Sequence, residues 1–152
     1  MHYWLMKSEP SDCAIDDLVA RPLQPVPWVG VRNYQARNFM RDGMQLGDLA
    51  FFYHSSCPEP GIAGIVKISR TAYPDATQFD PHSKYFDPAA KPDNPRWLHV
   101  DVQLVRKLPL ISLATLRAQP PLADLRILQR GNRLSITPVE DAHWDEILRL
   151  AK

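Results

Sequence analysis

The placement of proline is the feature of this sequence that most limits the folds it can adopt. The chain has 15 prolines among 152 residues, about twice the usual share of roughly 5%. They cluster in the segments RPLQPVP, CPEPG, DPHSKYFDPAAKPDNP and QPP. Because proline interrupts helices and central strands, the ordered elements between these segments must be short. The sequence therefore predicts a small β-barrel or mixed α+β fold rather than a helical bundle.

Length and composition predict one globular domain over residues 1–152. A chain of this size buries most of its apolar surface around a single core. Apolar residues make up 45% and charged residues 23%, which excludes wholesale disorder, and no apolar run approaches the roughly 18 residues of a membrane span. The amino terminus lacks the features of a secretory signal. We therefore expect a cytosolic protein without a membrane partner, in which Cys13 and Cys57 are reduced thiols.

Five segments predict strands. In RWLHVDVQLV (96–105) apolar and polar residues alternate strictly, which indicates a strand that buries one face only. LAFFYH (49–54) is apolar on both faces and should be central, with IAGIVKI (62–68) as its antiparallel partner. With YWLMK (3–7) and RLSI (133–136) there are enough strands to close a small barrel.

Three segments predict short helices. SDCAIDDLVA (11–20) begins with a serine that can cap a helix, and SLATLRAQ (112–119) has helical character. A third helix should start at an Asn33 cap and stop at Gly43.

The final helix has the clearest sequence signature. Thr137 is the expected N-cap, Pro138 the first helical residue, and Glu140 completes a capping box. The helix should run toward Leu150, with apolar residues that include Trp144 turned inward.

Charge is distributed unevenly although the net charge is only +1. Segment 18–41 has four arginines and no acid, and segment 105–133 has six cations against one acid. Segment 73–101 has five acids against three cations. If the two basic segments meet in space they form a local positive groove; the alternative is solvated arginine scattered over the surface.

The segment GVRNYQARN (30–38) combines arginines and amides without an acid. If Asn33 opens a helix, Arg37 lies one turn further on the same face, beside the free N–H groups of the helix start. Such an arrangement suits an anion or a phosphate. The alternative is a surface helix whose arginines pair with acids elsewhere.

Four tryptophans divide into two groups. Trp4 and Trp144 fall on a predicted strand and on the inner face of a predicted helix, which indicates core positions. Trp97 lies on the polar face of its strand, and Trp28 lies in a loop before the arginine segment. Each of these two rings either covers a helix or forms a pocket wall on which a flat ring can stack.

Catalysis and metal binding have little support. His54 and Ser55 end a strand, but there is no Gly-x-Ser-x-Gly elbow and no acid that the sequence ties to His54. His54 and Cys57 lack a second pair of ligands at metal-binding spacing, and there is no Walker loop. We therefore expect no enzyme, no metal and no cofactor.

Several long motifs together resemble one known family. In order, WLMKSEP, WVGVRNYQARN, GDLAFFYHS, PGIAGIVKI, KYFDP, RWLHVDV and GNRLSITPV resemble the motifs of the EVE domain family. The resemblance covers essentially the whole chain. It implies an α+β, PUA-like mixed barrel of about five to six strands with flanking helices, related to YTH domains. One departure is Phe86, where the family leads us to expect tyrosine.

The resemblance also implies a function. Members of this family are expected to bind a modified nucleobase in an aromatic pocket without catalysis, with 5-methylcytosine or 5-hydroxymethylcytosine in DNA as the leading ligand. A modified base in RNA and a free small molecule or nucleotide remain alternatives. Similarity to YTH domains points to Trp28 and Trp97 as stacking walls.

These considerations give two sets of expected site residues. The base-binding pocket is expected to contain Lys7, Ser8, Trp28, Asn33, Tyr34, His54, Ser55 and Trp97. The phosphate backbone is expected to contact Arg32, Arg37 and Arg133.

Overall fold

The computed structural model describes residues 2–151, which are organised around one mixed β-sheet. The strands are β1 (Tyr3–Ser8), β2 (Val26–Pro27), β3 (Leu49–His54), β4 (Gly61–Pro74), β5 (Leu98–Ser112) and β6 (Ile136–Val139). They lie in the order β2-β5-β4-β3-β1-β6. Strands β1 and β3 are parallel, and the other neighbours are antiparallel.

Short helices connect and cover the strands. They are α1 (Ile15–Val19), α2 (Tyr34–Asn38), α3 (Leu113–Arg117) and α4 (Asp141–Leu150). A π-helical turn follows α2. One 3-10 turn lies between β4 and β5, and two lie between α3 and β6. Among residues 2–151 there is no helix of the length and apolarity that a bilayer crossing requires.

The central position of β3 follows from its sequence. It lies between β1 and β4, and both of its phenylalanines are fully buried. Because side chains alternate across a strand, Phe52 packs into a cluster with Trp28 on one face of the sheet, and Phe51 packs with Trp144 on the other. LAFFYH was therefore correctly predicted as a strand with two buried faces, and IAGIVKI as its antiparallel partner.

The sheet remains open, in contrast to the predicted barrel. The α+β class and the number of strands are confirmed, but the described strands leave β2 and β6 as two edges of the sheet. Each edge strand contains a proline, Pro27 in β2 and Pro138 in β6. Proline has no N–H to donate to a further strand, which is consistent with these edge positions.

The predicted start of the last helix is wrong. Thr137 and Pro138 belong to β6 and pair with Leu5 and Trp4 of β1, and the helix begins at Asp141 with Glu140 as its N-cap. Pairing with the central sheet outweighs the local capping signal. The predicted strand RLSI accordingly overlaps β6 only at its last residue.

Two further local predictions differ from the structure. The first helix is shorter than expected and begins at Ile15 rather than near the capping serine, because Ala14 is the N-cap and Asp17 accepts a hydrogen bond from its N–H at 2.8 Å. Strand β5 begins after Trp97, and it is covered on its polar face too, since His99 is 4% exposed. The predicted cap Asn33 and the helix within SLATLRAQ are confirmed.

Replacing Trp144 tests the packing of α4 on the sheet. Its indole stacks between Phe51 and Tyr3, with ring centroids 4.0 and 4.3 Å away. We expect Trp144→Ala to lower the free energy of unfolding by about 3–5 kcal/mol, because it leaves a cavity in the core. Urea denaturation measures the change. Trp144→Phe is the control, because it keeps an aromatic ring between Phe51 and Tyr3. A loss below about 1 kcal/mol would contradict this account of the core.

Candidate functional site

A cavity of about 780 Å³ opens beside the carboxyl ends of the parallel strands β1 and β3. Five segments line it: residues 7–13, residues 26–32, the serines after β3, residues 84–85 and residues 133–135. Its volume lies within the roughly 300–1,000 Å³ of small-molecule sites.

Two aromatic side chains, Trp28 and Tyr85, line this cavity. The backbone N–H of Trp28 donates to Val100 of β5 at 2.8 Å, and its indole contacts Phe52 edge to face. The Tyr85 ring lies directly against Gly30, where an added Cβ would be 2.5 Å from Tyr85 Cζ. Gly30 also has a φ of +87°, a conformation that residues with a side chain rarely adopt. Only glycine at this position lets the Tyr85 ring approach the backbone so closely.

A buried carboxylate holds the Gly30 loop. Asp75 has no exposed surface, and its Oδ2 accepts from the N–H of Gly30 at 2.9 Å and from Arg32 Nη1 at 3.1 Å. Its Oδ1 accepts from the N–H of Thr77 at 2.8 Å. Burial acts to raise the pKa of Asp75, but these hydrogen bonds outweigh it and hold the pKa below its ordinary value. Asp75 is therefore a fixed anion inside the protein.

Arg32 links this carboxylate to the segment that carries Tyr85. Its Nε and Nη2 donate to the carbonyl oxygen of Tyr85 at 3.1 and 2.7 Å. The guanidinium carbon also lies 5.5 Å from the ring centroids of both Tyr85 and Trp97. Its donors are thus used within the protein, so Arg32 positions an aromatic wall rather than presenting a free charge.

The polar wall of the cavity is formed where three strands meet. The N–H of Lys7 donates to Ser135 at 2.8 Å, and the N–H of Ser55 donates to Ser8 at 2.9 Å. The Ser8 hydroxyl donates to the carbonyl of Cys13 at 2.6 Å. Burial lowers the pKa of Lys7 from its ordinary value. This wall therefore offers an amine and hydroxyls to a ligand.

Both basic segments of the sequence reach the cavity. Arg32 comes from segment 18–41, and the exposed Arg133 comes from segment 105–133. Lys84 also lies on the wall, where it is paired with Asp12 at 2.7 Å. Of the two alternatives left open by the sequence, residues of both segments therefore meet at this cavity, although Arg32 is neutralised by its buried partner.

The sequence-predicted site residues fall into two groups. Six of them line the cavity: Lys7, Ser8, Trp28, Arg32, Ser55 and Arg133. The other five do not: Asn33, Tyr34, Arg37, His54 and Trp97. Asn33 Oδ1 caps α2 by accepting the N–H of Ala36 at 3.0 Å, and His54 Nε2 accepts the N–H of Ile15 at 3.1 Å. The part that each residue plays in binding remains a prediction.

Trp97, which similarity to YTH domains pointed to as a stacking wall together with Trp28, does not line this cavity. It is 6% exposed and stacks on Tyr34, with ring centroids 4.8 Å apart. Its Nε1 donates to Asp87 at 2.7 Å, which ties down the segment that carries Tyr85. On the outer side of this pair, the Arg37 guanidinium lies 4.8 Å from the Tyr34 ring centroid. Trp97 therefore belongs to a layered cluster beside the cavity.

Tyr85 and Lys84 are the main lining residues that sequence reasoning missed. They lie in the motif KYFDP, but nothing in that motif indicates that it folds back on Gly30. Phe86 of the same motif is 39% exposed and does not line the cavity. The departure at Phe86 therefore removes no hydroxyl from the cavity wall.

A possible set of metal ligands lies elsewhere. Asp124, Glu140 and His143 offer ligand atoms that all lie within 4.8 Å of one another. They are the only group of this kind among the described residues. Asp124 and Glu140 are exposed, and none of the three lines the cavity.

Comparison with known protein families shows which family this chain belongs to. The model of the EVE domain matches residues 2–150. The chain belongs to the EVE domain family. Among its EVE relatives, thymocyte nuclear protein 1 from Homo sapiens is 47% identical over an alignment 166 positions long. The alignment covers 97% of this chain and 73% of that protein. A mouse protein of the same name is 46% identical over 98% of this chain and 73% of its own length.

Solved EVE-family structures agree closely with the fold. The crystal structure of human THYN1 in complex with 5-methylcytosine-containing DNA is 46% identical, with a TM-score of 0.93 over 100% of this chain and 98% of that one. A crystal structure from Pseudomonas putida is 49% identical, with a TM-score of 0.93 over 99% of each chain. The human and mouse relatives are named as nuclear proteins, which contradicts the cytosolic location expected from the sequence.

Removing the Asp75 carboxylate tests whether it holds the site together. Asp75→Ala leaves the largely buried Arg32 guanidinium and the Gly30 N–H without their acceptor. We expect a loss of about 3–5 kcal/mol in the free energy of unfolding, measured by urea denaturation. The matched control is Asp42→Ala, which removes the exposed pair with Arg41 and should leave stability unchanged. Equal effects of the two substitutions would contradict the structural role of Asp75.

A pH titration tests whether burial lowers the pKa of His54. Burial is the main reason that the pKa of His54 lies below its ordinary value of 6.5. Below pH 6.5 the unfolded chain therefore takes up a proton that the folded protein resists, and stability falls. We expect His54→Gln, which can still accept the N–H of Ile15, to show a shallower decline in urea denaturation between about pH 8 and pH 5. If stability falls equally steeply with pH in the parent and the variant, the pKa of His54 is not lowered in the folded protein.

Proposed function

We propose that this EVE domain binds a modified nucleobase extruded from DNA, in the cavity lined by Trp28 and Tyr85, with 5-methylcytosine as the leading ligand. The observation that carries the proposal is the close match to the human relative in complex with 5-methylcytosine-containing DNA. The cavity supports it independently, because it combines two aromatic rings with a polar wall at one end of the sheet.

The aromatic rings supply the energy for base extrusion. Taking a base out of the helical stack costs a few kcal/mol, while stacking on an aromatic side chain returns about 1–3 kcal/mol per base. Trp28 is held by the sheet, and Tyr85 is held by Gly30 and Arg32. Both rings are therefore positioned before the base arrives, which reduces the entropy lost on binding.

The polar wall orients the base. A pyrimidine presents donors and acceptors along one edge, and Ser8, Ser55 and Lys7 offer complementary groups on the same side of the cavity. A methyl group at the opposite edge of the ring requires an apolar surface, which Val31 and the Trp28 indole offer. Recognition of the ring by stacking and of its edge by hydrogen bonds is the arrangement that extruded bases require.

The remaining predicted residues suit contacts outside the cavity. Arg133 lies at its rim and is exposed, which fits a contact with the phosphate backbone. Tyr34 is 50% exposed and lies beneath the Arg37 guanidinium, so this pair can contact the flanking strand. In this proposal Asn33, His54 and Trp97 act by holding the surrounding elements.

Replacing Tyr85 tests the stacking wall. Tyr85→Ala removes the ring from the cavity, and we expect a loss of about 1–3 kcal/mol in binding to a DNA strand that contains 5-methylcytosine. Tyr85→Phe keeps the ring and should bind as the parent does. Fluorescence titration at one stated salt concentration measures both affinities. If the alanine variant binds as tightly as the parent, the base does not stack on Tyr85.

The identity of the ligand is tested by competition at fixed salt. DNA and RNA strands with cytosine, 5-methylcytosine or 5-hydroxymethylcytosine compete for the protein, and strands with N6-methyladenine serve as the control. Tighter binding of the 5-methylcytosine DNA strand supports the proposal. Equal weak binding of all strands leaves only a general attraction of cations for phosphate and contradicts it.

A further inference from the structure

A second cavity of about 480 Å³ lies beside the first and has no part in the function proposed so far. We propose that it is a subsite for the nucleotide next to the modified base on the same DNA strand. This inference rests on the proposed function, because it assumes that the modified base occupies the first cavity. It adds a contact that makes binding depend on the neighbouring nucleotide.

The two cavities are adjacent. They share four lining residues: Asp12, Cys13, Val26 and Pro27. A nucleotide whose base enters the first cavity remains linked through its phosphates to a neighbour on each side. One of these neighbours can therefore follow the shared wall into the second cavity without leaving the protein surface.

The walls of the second cavity suit a flat ring. Leu18, Pro25, Val26 and Pro27 provide apolar surface, and Gln24 provides an amide that can donate and accept hydrogen bonds. The adjoining Leu23 is 83% exposed. Apolar side chains and proline rings offer a surface on which any of the four bases can pack, so the site need not select one base by hydrogen bonding alone.

One side chain of the second cavity, Arg21, suits a phosphate. Arg21 lies on its wall and makes no ion pair with any residue between 2 and 151. The two acids of the wall are already engaged, since Asp12 pairs with Lys84 and Asp17 accepts the N–H of Ala14 at 2.8 Å. Arg21 is therefore the cation of this wall that remains available to a phosphate oxygen.

Titration with minimal ligands tests the subsite. The ligands are 5-methyl-2′-deoxycytidine monophosphate and the dinucleotides that extend it by one nucleotide on the 5′ or the 3′ side. We expect one extension to raise the affinity of the parent protein about ten-fold, the scale of a charge-assisted contact between Arg21 and the added phosphate. The double variant Arg21→Gln/Gln24→Ala should lose that gain and bind the mononucleotide as the parent does. Arg106→Gln removes an exposed arginine outside both cavities and should keep the gain.

The outcomes separate this inference from the function on which it rests. If the parent prefers the methylated mononucleotide but gains nothing from either extension, the subsite is absent and the proposed function stands. A gain that survives in the double variant equally rejects the subsite as assigned. If the parent does not distinguish methylated from unmethylated ligands of either length, the proposed function fails and the inference fails with it.

Discussion

The ion pair between Asp75 and Arg32 is the interaction on which the site depends. Asp75 fixes the Gly30 loop from inside the protein, and Arg32 extends from that carboxylate to the backbone of Tyr85. One buried anion thereby joins the segments that bear the two aromatic walls. Because the pair is withdrawn from solvent, its strength depends little on salt, and the cavity keeps its shape under conditions that weaken surface ion pairs.

Cations and aromatic rings form a continuous series of contacts from the outer surface toward the cavity. The series runs through Arg37, Tyr34, Trp97, Arg32 and Tyr85, with successive separations between 4.8 and 5.5 Å. Each member contacts the next, so a displacement of Tyr34 or Arg37 at the surface acts on the residues that hold the cavity wall. The surface of this cluster and the interior of the cavity are thus parts of one packed unit.

Local patterns in the sequence predicted burial better than they predicted contacts. Trp4 and Trp144 lie in the core as their positions on a strand and a helix indicated, and Asn33 caps its helix because capping needs only neighbouring residues. The contact of Arg32 with Tyr85 joins residues 53 positions apart and leaves no local signal. Similarity to YTH domains pointed to Trp28 and Trp97 as stacking walls, and in the structure Trp28 and Tyr85 line the cavity while Trp97 does not.

The contact between Gly30 and Tyr85 makes the position of the aromatic wall independent of the residues on the polar wall. The Tyr85 ring rests on the backbone of Gly30. The main chain therefore sets its position, and no side chain at residue 30 can change it. The polar wall comes from other segments, around Ser8 and Ser55. Substitutions on the polar wall can therefore change the hydrogen-bonding groups that the cavity presents, while the Tyr85 ring keeps its position against the backbone.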